Sequence, residues 1–187
     1  MTAQFSDPVC YRGKQYSIAG HTGQGLFDPS EHGMRPVGKC SALWHGFLCE
    51  YKVEGRSLLL DSLSVYLDEP APVLFGVAPT AATEFLRFDA VYKGLNHKVL
   101  YTGGLLLASD FIDELYVHMG FHPAWKYREV HELIFESGDL VRETDRSAEI
   151  AKVREDVAGA SMEPGREATK GEVTRWIERC FSQDYRW

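Results

Sequence analysis

Residues 46–67 read GFLCEYKVEGRSLLLDSLSVYL, and the alternation within them decides the fold. Phe47, Cys49, Tyr51 and Val53 fall on one face of an extended chain, with Leu48, Glu50 and Lys52 on the other. Glu54-Gly55-Arg56 supplies a turn. The chain then returns from Ser57 to Leu67, with Leu59, Leu63, Val65 and Leu67 sharing a face with Asp61. A period of two in both arms is what a half-buried antiparallel sheet requires. The segment is a β-hairpin.

On either side the same signal recurs. Cys10-Tyr11 and Gln15 to Ile18 flank Arg12-Gly13-Lys14 as an opening hairpin. Residues 20–38, with five glycines and two prolines, read as a long loop. Asp68-Glu69-Pro70-Ala71-Pro72 ends the quoted hairpin, since neither proline can donate to a ladder. Val73 to Val77 reads as a short strand. Phe85 to Tyr92 and Lys98 to Tyr101 read as strands around a Gly94-Leu95-Asn96 turn, and Leu105 to Leu107 as an apolar run. Tyr127 to Phe135 and Leu140 to Glu143 form a last hairpin around Glu136-Ser137-Gly138-Asp139.

Two segments change period. Ser109 can cap a helix over about 110–119, with Asp110, Asp113 and Glu114 in its first turn, Phe111, Ile112, Leu115, Tyr116 and Met119 as its stripe, and Gly120 beyond its end. A strand over Leu115 to Met119 is the alternative. After Asp145 the chain turns helical. Ile150, Val153 and Val157 give a thin stripe, residues 159–171 read as a linker, and Val173, Trp176, Ile177, Cys180 and Phe181 give a second, stronger stripe. The expected fold class is therefore α+β, mainly β: an antiparallel β-sandwich or open barrel with one short internal helix and two C-terminal helices. Residues 1–145 form the β domain. Residues 146–187 form a helical appendage that docks on it, or on a second subunit to give a homodimer.

The chain has 187 residues, 44% of them hydrophobic, which suits one folded domain with an appendage and excludes a disordered chain. With 27 acidic against 20 basic residues the net charge is −7, which disfavours nucleic acid as a partner. From Arg146 onward eight basic residues balance eight acidic ones, so the excess charge belongs to residues 1–145, together with all seven histidines. An acidic body favours a basic protein partner through steering. No run of 18 apolar residues exists and the N-terminus lacks the order of a signal peptide, so no membrane contact and a cytoplasmic location are expected. Cys10, Cys40, Cys49 and Cys180 form no CxxC pair and read as reduced thiols.

The segment richest in chemistry is Tyr116-Val117-His118-Met119-Gly120-Phe121-His122-Pro123-Ala124-Trp125, followed by Tyr127 and by His131-Glu132. Three histidines within 14 residues invite a metal reading, but their spacing does not support one. Gly120 and Pro123 stop any helix that would align His118 with His122, and Phe135 stands where an HExxH motif needs histidine. No metal and no cofactor are expected. Phe121, His122, Trp125 and Tyr127 make a candidate binding loop, because aromatic residues dominate binding hot spots. Asp61, set among leucines, is a candidate buried carboxylate whose environment could tune it for proton transfer. Gly20-His21-Thr22-Gly23-Gln24-Gly25 lacks the order and helix of a phosphate-cradling loop, and Cys40-Ser41 with Trp44-His45 lacks a nucleophile signature.

Three readings follow. The first is a soluble binding protein, of immunity or inhibitor type, that uses the acidic body and residues 121–127 on a basic partner. The second is a hydrolase or isomerase with His118, His122, His131, Asp61 and Glu132 around one pocket. The third is a barrel that holds a small apolar ligand.

Overall fold

Eight strands carry the fold: β1 (Pro8–Tyr11), β2 (Lys14–His21), β3 (Phe47–Glu54), β4 (Ser57–Val65), β5 (Ala90–Lys98), β6 (Gly103–Phe111), β7 (Tyr127–Glu136) and β8 (Asp139–Asp145). A helix, α1 (Ser147–Ala158), follows. The computed structural model describes residues 2–81, 86–158, 168–174 and 183–185. Hydrogen bonding orders the strands β3-β1-β2-β6-β7-β8-β4, and β4 pairs back to β3, so seven strands close a barrel. The expectation of a mainly β chain holds, and of its two alternatives the architecture is the barrel. One neighbour pair is parallel, β1 with β3, where Val9 faces Tyr51.

Closure is thin at one seam. β4 meets β8 through a single residue pair, Ser57 with Asp139, before β5 takes over the same edge of β4 from Leu59. Two backbone bonds flank that pair, from Leu58 N to Gly138 O (2.8 Å) and from Leu140 N to Arg56 O (2.6 Å). Beyond it β8 runs on towards Asp145 with no strand of β4 beside it, and the barrel wall is open there.

The interior is filled. Leu58, Leu60, Leu63, Val65, Tyr92, Tyr101, Leu105, Leu107, Leu133 and Phe135 are fully buried against one another. At about 25 cal/mol per Å² of apolar surface, such burial is the main stabilising term. A second cluster lies outside the barrel, where Ile150 of α1 packs with Ala124, Tyr127, Val130, Leu106 and Ala108. Buried Glu132 anchors this layer. It accepts from Arg146 at 2.7 Å, and Tyr185 donates to it at 3.2 Å. At residues 183–185 the chain lies on its own barrel, with Asp184 bridging to His21 and Gln183 donating to Ile18 O.

Four local expectations are corrected. The helix over 110–119 contracts to one 3-10 turn, Asp113–Leu115, because β6 runs on through Phe111 and Ser109 belongs to that strand. Gly94-Leu95-Asn96 is a bulge inside β5. Between the pairs Leu60–His97 and Ser62–Lys93, those three residues oppose Asp61 alone, with Gly94 and Asn96 at positive φ and Leu95 buried. The same bulge moves the inward face of β4 from Leu58 and Leu60 to Leu63 and Val65, so Leu59 and Asp61 do not share it. Val73 to Val77 makes a tight turn, with Phe75 and Gly76 at positive φ, in place of a strand. The second C-terminal helix begins within the described residues at Lys170, but Trp176, Cys180 and Phe181 lie outside them. Among the described residues no helix is long and apolar enough to cross a membrane.

Candidate functional site

The inward alternation of β7 reads Glu129, His131, Leu133, Phe135, and its partners on β6 are Ser109, Leu107, Leu105 and Gly103. On β8, Asp145 stands opposite His131 and Glu143 opposite Leu133. Directly opposed residues point to the same side of a sheet. The pattern that packs leucine and phenylalanine at one end of the barrel therefore places Ser109, Glu129, His131, Glu143 and Asp145 together at the other. The β1–β2 hairpin brings Tyr11, Arg12, Lys14 and Tyr16 to the same mouth.

These groups form one network. Tyr16 donates to Glu129 at 2.6 Å, Lys14 pairs with the same carboxylate, and His131 Nε2 lies 3.2 Å from it. Lys14 first, then Tyr16 and His131, hold the Glu129 carboxyl down at about 2. Burial first, and then the Glu129 carboxylate, push the Tyr16 phenol well up. Glu143 links the network outward: its Oε2 takes Arg12 at 2.7 Å, and its Oε1 lies 3.7 Å from His131 Nδ1. Burial, followed by the bond to Glu143, pushes Tyr11 up to about 12.

Two buried polar atoms at the mouth, Ser109 Oγ and His131 Nδ1, have no hydrogen-bond partner among the described residues. An unsatisfied buried group calls for an explanation, and a bound molecule is one. Immediately outside, where the seam leaves β8 uncovered, opens a cleft of about 440 Å³. Tyr11, Arg12, Val53, Arg56, Arg142 and Glu143 line it together with Gly55, Leu140 and Val141. Arg56 is held in place by donating to Leu140 O, and neither it nor Arg142 forms a salt bridge with a carboxylate among the described residues.

The residues singled out from the sequence are dispersed. Asp61 projects outward from its bulge to Lys52 Nζ at 2.9 Å. Glu132 is on the outer face of β7, paired with Arg146. His118 is exposed beside the Tyr116 hydroxyl at 2.9 Å. His122 packs against Phe111 and Tyr116, with ring centroids 4.8 and 5.2 Å away, and burial first, then Lys126, lowers it to about 4. His131 alone of the five reaches the mouth, so the pocket expected of them is not assembled. In the binding loop, Phe121 and Trp125 are half-buried and Tyr127 is buried. The loop is pinned by Gly120 to the strand-like segment at Ala3, and by Arg154 to the carbonyls of Trp125 and Tyr127.

Sequence reasoning missed Tyr16, Ser109, Glu129, Glu143 and the three arginines. The signal available was Glu129-x-His131 in phase with Leu133 and Phe135, which marks two polar residues on an inward face. Among the described residues no three His, Cys, Asp or Glu side chains come together to hold a metal ion. No family model matches the sequence, and neither a curated protein nor a solved structure matches it.

Proposed function

We propose that this protein binds a small molecule with an apolar body and an anionic group in the cleft at the barrel mouth. The observation that carries this reading is the make-up of the cleft. Three of its nine lining residues are arginines against one glutamate, in a chain whose net charge is −7. Guanidinium groups are suited to carboxylate and phosphate. Val53, Leu140, Val141 and the Tyr11 ring supply the apolar wall, and the cleft volume falls in the range of small-molecule sites.

Two other readings have less support. A purely apolar ligand inside the barrel meets a lumen filled by its own side chains. A basic protein partner seated on residues 121–127 meets a loop in which Tyr127 is buried and Phe121 and Trp125 are half-buried. The free thiols of Cys10, Cys40 and Cys49 are in keeping with a reducing, cytoplasmic setting.

Calorimetric titration tests the proposal with two probes of equal tail, hexanoate and hexanol. Hexanoate binds the wild type, hexanol binds at least about tenfold more weakly, and Arg142→Ala weakens hexanoate by about tenfold. Equal binding of the two probes, or an Arg142→Ala variant that binds hexanoate as the wild type does, would overturn it.

A further inference from the structure

The two oxygens of the Glu143 carboxylate divide the mouth into unlike halves. On the Oε2 side stands Arg12, the start of the guanidinium-lined cleft. On the Oε1 side stands His131 Nδ1, buried, 3.7 Å away and without a hydrogen bond. The state of that nitrogen is set from behind. His131 Nε2 faces Glu129, and a carboxylate there can only accept, so Nε2 carries a proton. In the neutral ring Nδ1 then offers a lone pair towards a second carboxylate, an arrangement that lacks a proton between the two acceptors. Ser109 Oγ, on the same inward face and opposite Glu129, is a second buried polar atom with no hydrogen-bond partner among the described residues.

Resting on the reading of the cleft as an anion site, we infer that its ligand carries a hydroxyl close to the anionic group, and that this hydroxyl donates to His131 Nδ1. The ligand class is a hydroxy carboxylate with an apolar tail. The spacing fits. The anion-seeking and the donor-seeking groups flank the two oxygens of a single carboxylate, so the matching groups belong to one end of the ligand. A hydroxyl is favoured over an ammonium because Arg12 and Lys14 already neutralise the nearby Glu143 and Glu129. Ser109 Oγ, which can donate or accept, is a further unpaired polar atom on that inward face among the described residues. His131 here is a specificity-determining residue, oriented by Glu129, Tyr16 and Lys14.

The test is a calorimetric comparison of hexanoate, 2-hydroxyhexanoate and 2-methoxyhexanoate, the last keeping the oxygen but unable to donate. The wild type is expected to bind 2-hydroxyhexanoate about tenfold more tightly than either of the others. In His131→Gln, whose amide reaches the Nε2 position and leaves the Nδ1 position empty, that preference disappears. Because the methoxy probe reads the same contact in the unaltered protein, the comparison stands even where the variant fails to fold. Equal binding of all three probes to the wild type overturns the hydroxyl inference and leaves the cleft reading intact. Binding by none of them overturns both.

Discussion

Glu143 lies 3.7 Å from His131, Oε1 to Nδ1, a separation too long for a hydrogen bond between two groups held at the mouth of a barrel. The same carboxylate is fully engaged on its other oxygen, by Arg12 at 2.7 Å. One residue thus joins the arginine-lined cleft to the histidine network.

The outer layer depends on a different carboxylate. Glu132 is 3% exposed, and Arg146 is its guanidinium partner. Arg146→Ala leaves a buried carboxylate with the Tyr185 hydroxyl as its one remaining side-chain partner among the described residues, at a cost of about 3 kcal/mol in urea unfolding. Arg12→Ala removes a pair whose arginine is 67% exposed and costs less than about 1 kcal/mol. Equal losses for the two variants would contradict the assignment of Glu132 as the structural anchor and of Glu143 as part of the site.

Stability carries a pH signature at Asp7. Burial pushes its carboxyl up to about 7, outweighing the support of the Cys49 N–H that it accepts at 2.9 Å. An unfolded aspartate ionises near 3.8, so between about pH 4 and 7 the unfolded chain gives up a proton that the folded chain retains. Stability therefore falls as pH rises through that window, by an amount on the order of 4 kcal/mol. Asp7→Asn keeps an acceptor for Cys49 and removes the loss. In urea unfolding the variant is expected to be more stable than wild type at pH 8 and not at pH 4. Parallel pH profiles would refute this.

His122 works in the opposite direction. Its folded-state value of about 4 lies below the 6.5 of an unfolded histidine, so as pH falls from 6.5 to 4 the unfolded chain takes up the proton first. The stability present above pH 6.5 is lost across that range. The His122 ring protons, followed by NMR, are expected to titrate with a midpoint near 4. A midpoint near 6.5 would mean that the packing against Phe111 and Tyr116 does not hold in solution.

Much of the barrel was legible in the sequence because period two is a local signal: the hairpins around Arg12-Gly13, Gly55 and Ser137-Gly138 lie where their turn residues put them. Gly94 and Asn96 misled because a bulge and a turn demand the same left-handed backbone, and which one forms depends on β4 across the sheet. Ser109 misled for a similar reason. A helix cap and a strand residue look alike until β7 pairs beside it. Asp61 looked buried only while the bulge that turns it outward was invisible. The candidate site was hidden most deeply, since Tyr11, Arg56, His131 and Glu143 come from four separate stretches. Barrel closure brings them to one end, and nothing local to any of them announces it.

The central claim, that the cleft beside Glu143 is the ligand site, is tested most directly by ¹H–¹⁵N correlation spectra of the uniformly labelled protein titrated with 2-hydroxyhexanoate. Saturable shifts are expected at Tyr11 to Gly13, Val53 to Arg56 and Leu140 to Glu143, and at Ser109 and His131 behind them. Shifts confined to residues 111–127 or to the segment around Trp44, or no shifts at all, would contradict it.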